Sequence, residues 1–303
     1  MNTARKLFYY NGGFLRQKRV RRILSMAGYE LTLGLPDRGD MVAVWGQSPN
    51  QYRGQWIAKK RKAGLLRVED AFLRSVQPGR AGDPPLGLIL DRSGCHFDAS
   101  YPCDLENILR HDPLKDTDLL CRAEQAIMRI RDNHISKYNA FETTQSPPAP
   151  GYVLVIDQTF GDAALRASGA GKAEFKAMLA AARREHPDAN IIIKSHAETI
   201  LGHRRGYFSA ADATDTIRLL ATPISPWQLF DGAIAVYTIS SQMGFEAILA
   251  GHTPHVFGQP FYAGWGLSKD RKPITGRTRI LSRAQLFAAA MILYPIWYDP
   301  YRD

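Results

Sequence analysis

The chain has 303 residues, 45% of them hydrophobic and 22% charged, the proportions of a globular protein that can bury a core, which excludes wholesale disorder. Such a length exceeds what one hydrophobic core usually fills and predicts two domains. Lys and Arg number 39 against 29 Asp and Glu, a formal charge of +10 that draws acidic partners such as phosphates, carboxylates or anionic lipid. Nucleic acid is set aside as a partner, because no interleaved aromatic and basic motif accompanies the charge.

In chain order, "LRQKRVRRILSMAGYE" (Leu15 to Glu30) reads as a basic amphipathic helix, either an ordinary solvated helix or a face for a membrane surface, the first being commoner. The charged start MNTARK leads into no secretory apolar segment, and no run approaches the roughly 20 apolar residues of a bilayer span. A cytoplasmic protein, at most peripheral to a membrane, is expected. Cys95, Cys103 and Cys121 are odd in number and lack CxxC spacing, so reduced thiols are expected, with neither a disulfide framework nor a zinc site.

"MVAVWG", "LLRVED" and "LGLILD" (Met41–Gly46, Leu65–Asp70 and Leu86–Asp91) are short apolar runs that read as buried parallel strands. Asp104 to Asn139 carries helical spacing, with Leu119, Ala123, Ala126, Ile127 and Ile130 on one face. "FETTQSPPAPG" (Phe141 to Gly151) has three prolines and no periodicity, so it is the expected linker. The domains are therefore placed at 1–145 and 151–285, with 286–303 a helix or tail packing back on the first.

The second half alternates strand and helix: "YVLVIDQ", "KAEFKAMLAAARREH", "ANIIIKSH", "TIRLLA", "SPWQLFDGA", "IAVYTISS", "QMGFEAILAG" and "TPHVFG". That order predicts a doubly wound parallel sheet with ligands beyond the carboxyl ends of its strands. Glu69, Asp70 and Arg74 follow one strand, Asp157, Gln158 and Asp162 another, Lys194 and His196 a third, Ser240 and Ser241 a fourth. Each acid or serine serves equally well as a helix N-cap. Paired serines and a glycine at a helix start present hydroxyls and free amides to a phosphate, and Glu246 one turn on is placed to accept from a ribose. Lys194 and His196, two apart, share a face of their strand and are placed to meet a leaving phosphate. Gly161 lets the backbone turn so that Asp162 faces the cleft as nucleophile or base.

"FGQPFYAGWGLSKD" (Phe257 to Asp270) is too aromatic for an ordinary loop and too rich in glycine for a helix. Its glycine turns are expected to lay Tyr262 and Trp265 along the cleft as walls against a sugar or base, the alternative being a wedge between the domains.

"VWG", "EDAFLRS", "LILDRSGCHFDASYPCDLE", "SKYN", "VLVIDQTFGDAAL", "IKSHAE", "SSQMGFEA" and "PFYAGWGLSKD" run in this order from Val44 to Asp270. In these segments the chain resembles one module of the KpsC-type capsule polysaccharide proteins, retaining β-Kdo transferases, where Kdo is 3-deoxy-manno-octulosonic acid. The resemblance implies an α/β, GT-B-like fold with two Rossmann-like, doubly wound domains facing a central cleft, the first on the acceptor side and the second binding CMP. It implies transfer of Kdo from CMP-β-Kdo to a Kdo-terminated, phosphatidylglycerol-type glycolipid at the cytoplasmic face of the inner membrane, alongside a second capsule Kdo transferase. The DQTxGD form resembles the amino-terminal module, associated with the β-(2→4) linkage.

Carried over residue by residue, the resemblance makes Asp162 the nucleophile, Glu69 the acid/base and His196 a contact to the CMP phosphate. Lys194, Ser240, Ser241, Gln242 and Glu246 become nucleotide ligands. Asp70, Arg74, Lys137, Asn139, Gln158, Tyr262 and Trp265 become the sugar and acceptor side, with Arg74, Lys137 or Arg166 offered to the Kdo carboxylate. Two departures stand out: the family's EDG is EDA here, at Ala71, and its HP is His196 followed by Ala197. No cofactor or metal is expected, since a single leaving phosphate can be neutralised by Lys194, His196 and helix amides. An enzyme using another CMP-sugar, like a sialyltransferase, or a non-catalytic carbohydrate-binding module are the alternatives.

Overall fold

The computed structural model describes residues 4–142 and 144–302. The first half runs β1 (Arg5–Tyr9), α1 (Gly13–Arg16), α2 (Lys18–Met26), β2 (Tyr29–Thr32), β3 (Met41–Trp45), α3 (Gln51–Arg61), β4 (Gly64–Asp70), β5 (Gly87–Asp91), α4 (Asp104–His111) and α5 (Thr117–Asp132). Next come β6 (Tyr152–Ile156), α6 (Ala163–Ala167), α7 (Lys172–Glu185), β7 (Ile191–Lys194), α8 (Ala197–Ile200), β8 (Ile217–Leu220), α9 (Pro226–Gly232), β9 (Ala233–Thr238), α10 (Gln242–Ala250), β10 (His255–Val256) and β11 (Lys269–Asp270). The chain closes with α11 (Arg283–Phe287) and β12 (Pro295–Trp297). Thr143, inside the expected linker, lies outside the described residues.

Two six-stranded sheets result, ordered β12-β5-β4-β3-β1-β2 and β11-β10-β9-β6-β7-β8. The second is parallel throughout, as the alternation predicts. The first is mixed, and the expectation of parallel strands fails at β5, which runs antiparallel to β4. A parallel return needs a crossover element, and the described residues between β4 and β5 form only one short 3₁₀ turn, Gly79–Ala81. The strand β12 then adds antiparallel to β5, pairing Pro295 with Ile89, so the C-terminal residues complete the first sheet as a strand.

Leu15 to Glu30 is not one helix. Gly28 has φ 79, a left-handed conformation that stops a helix at low cost only in glycine, and Tyr29 beyond it starts β2. The apolar stripe of α2, Val20, Ile23 and Leu24, is buried with Leu7, Tyr9 and Leu66 on one face of the first sheet. The basic side is thus the solvated face of an ordinary surface helix. On the opposite face α3 packs Ala58 against Phe8 and Val42.

A single core continues from the first half into the second, joining Leu105 and Leu109 of α4 and Ala123 of α5 to Trp227, Phe245, Tyr262, Trp265 and Phe287. A buried ion pair crosses the same region. Arg277 Nη2 donates to Glu106 Oε2 at 2.7 Å, and its Nη1 donates to the carbonyls of Pro260 and Ala263 at 2.6 and 2.8 Å. This guanidinium leaves neither charge unpaired, which is the condition under which a buried pair is tolerated, and it fixes the turn carrying Phe261.

Candidate active site

The carboxyl ends of β4, β6, β7 and β9 converge on a cavity of about 470 Å³. The first half contributes Glu69 and Asp70 from the end of β4 and Ser136 to Tyr138 from the segment after α5. The second half contributes Gln158, Asp162, Lys194, His196, Ser240 to Gln242, Glu246 and Phe261. Loop ends of parallel strands are where an open α/β sheet exposes free amides and turns its chain outward.

Carboxylates form one side. Gly46, at the end of β3, has φ 39, and a β-carbon there would land on the Glu69 carboxylate; the glycine of "VWG" is what gives that carboxylate its space. Burial pushes the Glu69 carboxyl up to about 8, the charges of Asp70 and Asp162 add to the rise, and Lys137 opposes it. Asp70 is gripped through Oδ2 by Arg74 Nε at 2.6 Å, while its Oδ1 is buried without a hydrogen-bond partner. The Lys137 ammonium is held above its usual range by Tyr138 first and then, against the cost of burial, by Asp162, Asp70 and Glu69. One cation thus stands among three carboxylates. Asp162 caps α6 through Oδ1, which accepts from Ala164 N at 2.8 Å. A capping bond fixes a carboxylate in place by a backbone donor, and the rest of the group lines the cavity.

The other side suits an anion and a polyol. Lys194 donates to Thr222 O at 3.0 Å, and burial lowers its ammonium to about 8, which still leaves it largely charged at neutral pH. His196 Nδ1 accepts from Glu198 N at 3.1 Å, so the ring proton is on Nε2; burial and then Lys137 depress the imidazole to about 4, and a neutral N–H donor results. Gln158 and Ser240 clasp each other, with Ser240 N donating to Gln158 Oε1 at 3.0 Å and Gln158 Nε2 to Ser240 Oγ at 3.3 Å. Ser241 caps α10 by accepting from Met243 N. Gln242 reaches across the halves to donate to Phe72 O at 2.7 Å. Glu246, pushed by burial up to about 7, accepts from Ser136 Oγ at 2.9 Å through Oε1. Its Oε2 is buried without a partner. An orphaned buried carboxylate oxygen in a cavity wall is a costly feature that a ligand hydroxyl would relieve.

The cavity therefore unites Glu69, Asp70, Lys137, Gln158, Asp162, Lys194, His196, Ser240, Ser241, Gln242 and Glu246. Five other expected contacts stand elsewhere. Arg74 is buried behind Asp70 and also binds Ser75 and Asp83, so it positions a carboxylate. Asn139 lies behind the loop, accepting from Ser136 N and donating to Ser75 O. Arg166, offered to a sugar carboxylate, instead donates to Gly161 O. Tyr262 and Trp265 are corrected outright: both are fully buried core residues, bonded to Ser241 O at 2.6 Å and Phe261 O at 2.8 Å. The aromatics at the wall are Phe72, Phe97, Tyr138, Phe141 and Phe261, with His96 among them; only their place in or beside the motifs hinted at them.

The departures at Ala71 and Ala197 are accommodated. Ala71 is buried, donating to Gly87 O at 3.1 Å, and it packs where Gly87 leaves room. At Ala197, the Nδ1 bond from Glu198 N holds the imidazole that a proline turn would otherwise aim. Because Trp265 is core, Trp265→Ala is expected to cost about 3–5 kcal/mol. A melting curve checks it, and the fraction that stays folded should keep its donor affinity; a variant that melts normally but binds donor poorly would restore the wall.

Comparison with known proteins gives a consistent result. A family model described as "Capsule polysaccharide biosynthesis protein" matches residues 40–146 and 116–296. The capsule polysaccharide modification protein LipA of Neisseria meningitidis serogroup B is 37% identical over 273 residues, which cover 86% of this chain and 39% of LipA. The chain thus spans about two fifths of that relative's length. Among solved structures, Thermosulfurimonas dismutans KpsC, beta Kdo 2,4 transferase, superposes with a TM-score of 0.91 at 33% identity, covering 100% of this chain and 94% of that one. The beta Kdo 2,7 transferase of the same KpsC shares the fold, with a TM-score of 0.73 at 23% identity.

Proposed function

Because the chain belongs to the capsule polysaccharide biosynthesis family, we propose that its cavity transfers Kdo from CMP-β-Kdo to a Kdo-terminated glycolipid, with retention and a β-2,4 linkage. The observation that carries this reading is the convergence of Glu69 from one half and Asp162 from the other on a single cavity with Lys137 between them and the Lys194–His196 pair beyond. The likeness to a structure titled a beta Kdo 2,4 transferase supports the linkage and the donor sugar.

In the first displacement an Asp162 oxygen attacks the anomeric carbon, the bond from that carbon to the phosphate oxygen breaks, and CMP leaves with the electron pair. Lys194 supplies charge to the departing monophosphate and His196 Nε2 a hydrogen bond, so no resident metal or cofactor is called for. Glu246 Oε2 takes ribose hydroxyls. In the second displacement the acceptor hydroxyl attacks the same carbon, its proton passes to ionised Glu69, and the bond to Asp162 breaks. Two inversions restore the starting configuration. Lys137, which lines the cavity, is the cation offered to the Kdo carboxylate.

Incubating the protein with CMP-Kdo, another CMP-sugar and a synthetic Kdo-terminated acceptor, then assigning the product by NMR, tests the reading. A β-(2→4) Kdo product from CMP-Kdo alone is expected. Transfer from the other CMP-sugar instead would replace the donor assignment, and binding without turnover would leave a carbohydrate-binding module.

A further inference from the structure

A second surface is built unlike the rest of the molecule. Helices normally bury their aromatics, but α3 exposes both of its own. Its inward positions are the small residues Gly54 and Ala58, with Gly54 so close to Val44 that a β-carbon would clash. Outward it carries Tyr52 and Trp56, 57% and 59% exposed, spaced i and i+4 on one face. Basic side chains stand around them: Arg53 lies over the Tyr52 ring at 5.8 Å and Lys60 over the Trp56 ring at 4.7 Å, and Lys59 and Lys62 are exposed alongside.

Two leucines extend the patch. Leu33 and Leu35 are 73% and 60% exposed, flanking Gly34, whose carbonyl accepts from Tyr10 Oη at 2.8 Å. Tyr10 packs with Phe8, Val42 and Ala58, the layer beneath α3, and Arg61 of α3 donates to Pro36 O at 2.9 Å, so these leucines belong to the same face. Asp37, beside Pro36, is engaged by Arg61 at 3.3 Å. Exposed tryptophan, tyrosine and leucine ringed by lysine match a bilayer interface, where aromatic rings sit at headgroup level and lysines meet anionic lipid.

We propose that this face, Tyr52, Trp56, Leu33, Leu35 and the α3 lysines, docks the chain on an anionic lipid surface. Charge decides the occupant. A second copy placed face to face would oppose lysine to lysine, a repulsive arrangement, whereas acidic phospholipid complements it. The helix α3 is the next element after β3, whose end carries Gly46 against Glu69. The inference does not depend on the transferase reading.

Flotation of the full chain with phosphatidylcholine vesicles, with and without phosphatidylglycerol, tests it. Binding is expected only with phosphatidylglycerol and is expected to fade with salt. Lys59→Glu, Lys60→Glu and Lys62→Glu together should weaken it by about tenfold or more, as should Trp56→Ala with Leu33→Ala and Leu35→Ala. Reversal of Lys18 and Arg21 on α2, across the sheet, should weaken it far less. Melting temperature and turnover of a water-soluble acceptor should be unchanged in all of these, which separates docking from chemistry. The proposal falls if the wild type ignores anionic vesicles, if the α2 variant loses binding as much as the α3 variants, or if the chain self-associates without lipid and Trp56→Glu makes it monomeric.

Discussion

Asp162→Asn is expected to lower Kdo transfer by about 10⁴-fold or more, the scale on which removing a covalent nucleophile acts, while leaving the melting temperature nearly unchanged. The second half of that expectation follows from the site's construction. Asp162 caps α6 by accepting from Ala164 N, and asparagine caps a helix about as well as aspartate. The amide oxygen keeps the bond and the proposed nucleophile is lost. Asp162→Ala would remove both, so a variant series of Asn and Ala separates chemistry from capping: equal rates and unequal stabilities are predicted. Near-wild-type transfer by Asp162→Asn would leave the aspartate as a cap and nothing more.

The next largest effect is expected at Glu69. Glu69→Gln should reduce transfer to acceptor by about 10²–10⁴-fold, the usual contribution of a positioned general base. A base must be ionised before it takes the acceptor proton, and Glu69 is pushed up to about 8 by burial and its carboxylate neighbours. Wild-type acceptor transfer should therefore climb as pH rises towards that value, and the climb should vanish in Glu69→Gln. Stability moves the other way. With its folded pKa raised above the ordinary 4.5, the neutral carboxyl favours the fold fully below that ordinary value, and its contribution is lost as pH rises to about 8. Glu69→Gln should thus melt higher than wild type at alkaline pH and lose that advantage in acid. A pH profile of rate beside a pH profile of melting temperature reads both. A rate limb that survives in the glutamine variant would move the base elsewhere.

Much of this arrangement is legible without coordinates, for a physical reason. The second sheet is built from short β-branched runs alternating with amphipathic helices, and that local pattern admits few topologies. The residues after each run then fall at one end of the sheet, which is why Asp162, Lys194, His196 and Ser240 meet in one cavity. The first sheet was harder. Its β1 and β2 are brief strands beside a basic helix, β5 runs antiparallel because no crossover element joins it to β4, and its other partner, β12, comes from near the other end of the chain. Pairing across such a separation leaves no local trace.

The aromatic segment shows a different kind of miss. The glycines around Tyr262 and Trp265 do mark close approach, but the partner is protein. A β-carbon on Gly244 would strike the Tyr262 hydroxyl, so α10 lies directly on that ring, and Arg277 stacks over Trp265 at 5.3 Å. The segment grips the core and, through Arg277 and Pro260, aims Phe261 at the cavity. Composition distinguishes a close contact from an open loop without saying what is in contact.

The most direct test is the mass of the intact protein after exposure to CMP-Kdo without acceptor, read on wild type, Glu69→Gln and Asp162→Asn, with the modified peptide mapped. One added Kdo on the peptide containing Asp162 is predicted for wild type and Glu69→Gln, and none for Asp162→Asn. An adduct that persists in Asp162→Asn, or a product of inverted configuration with no adduct on any form, would contradict a covalent route through this aspartate.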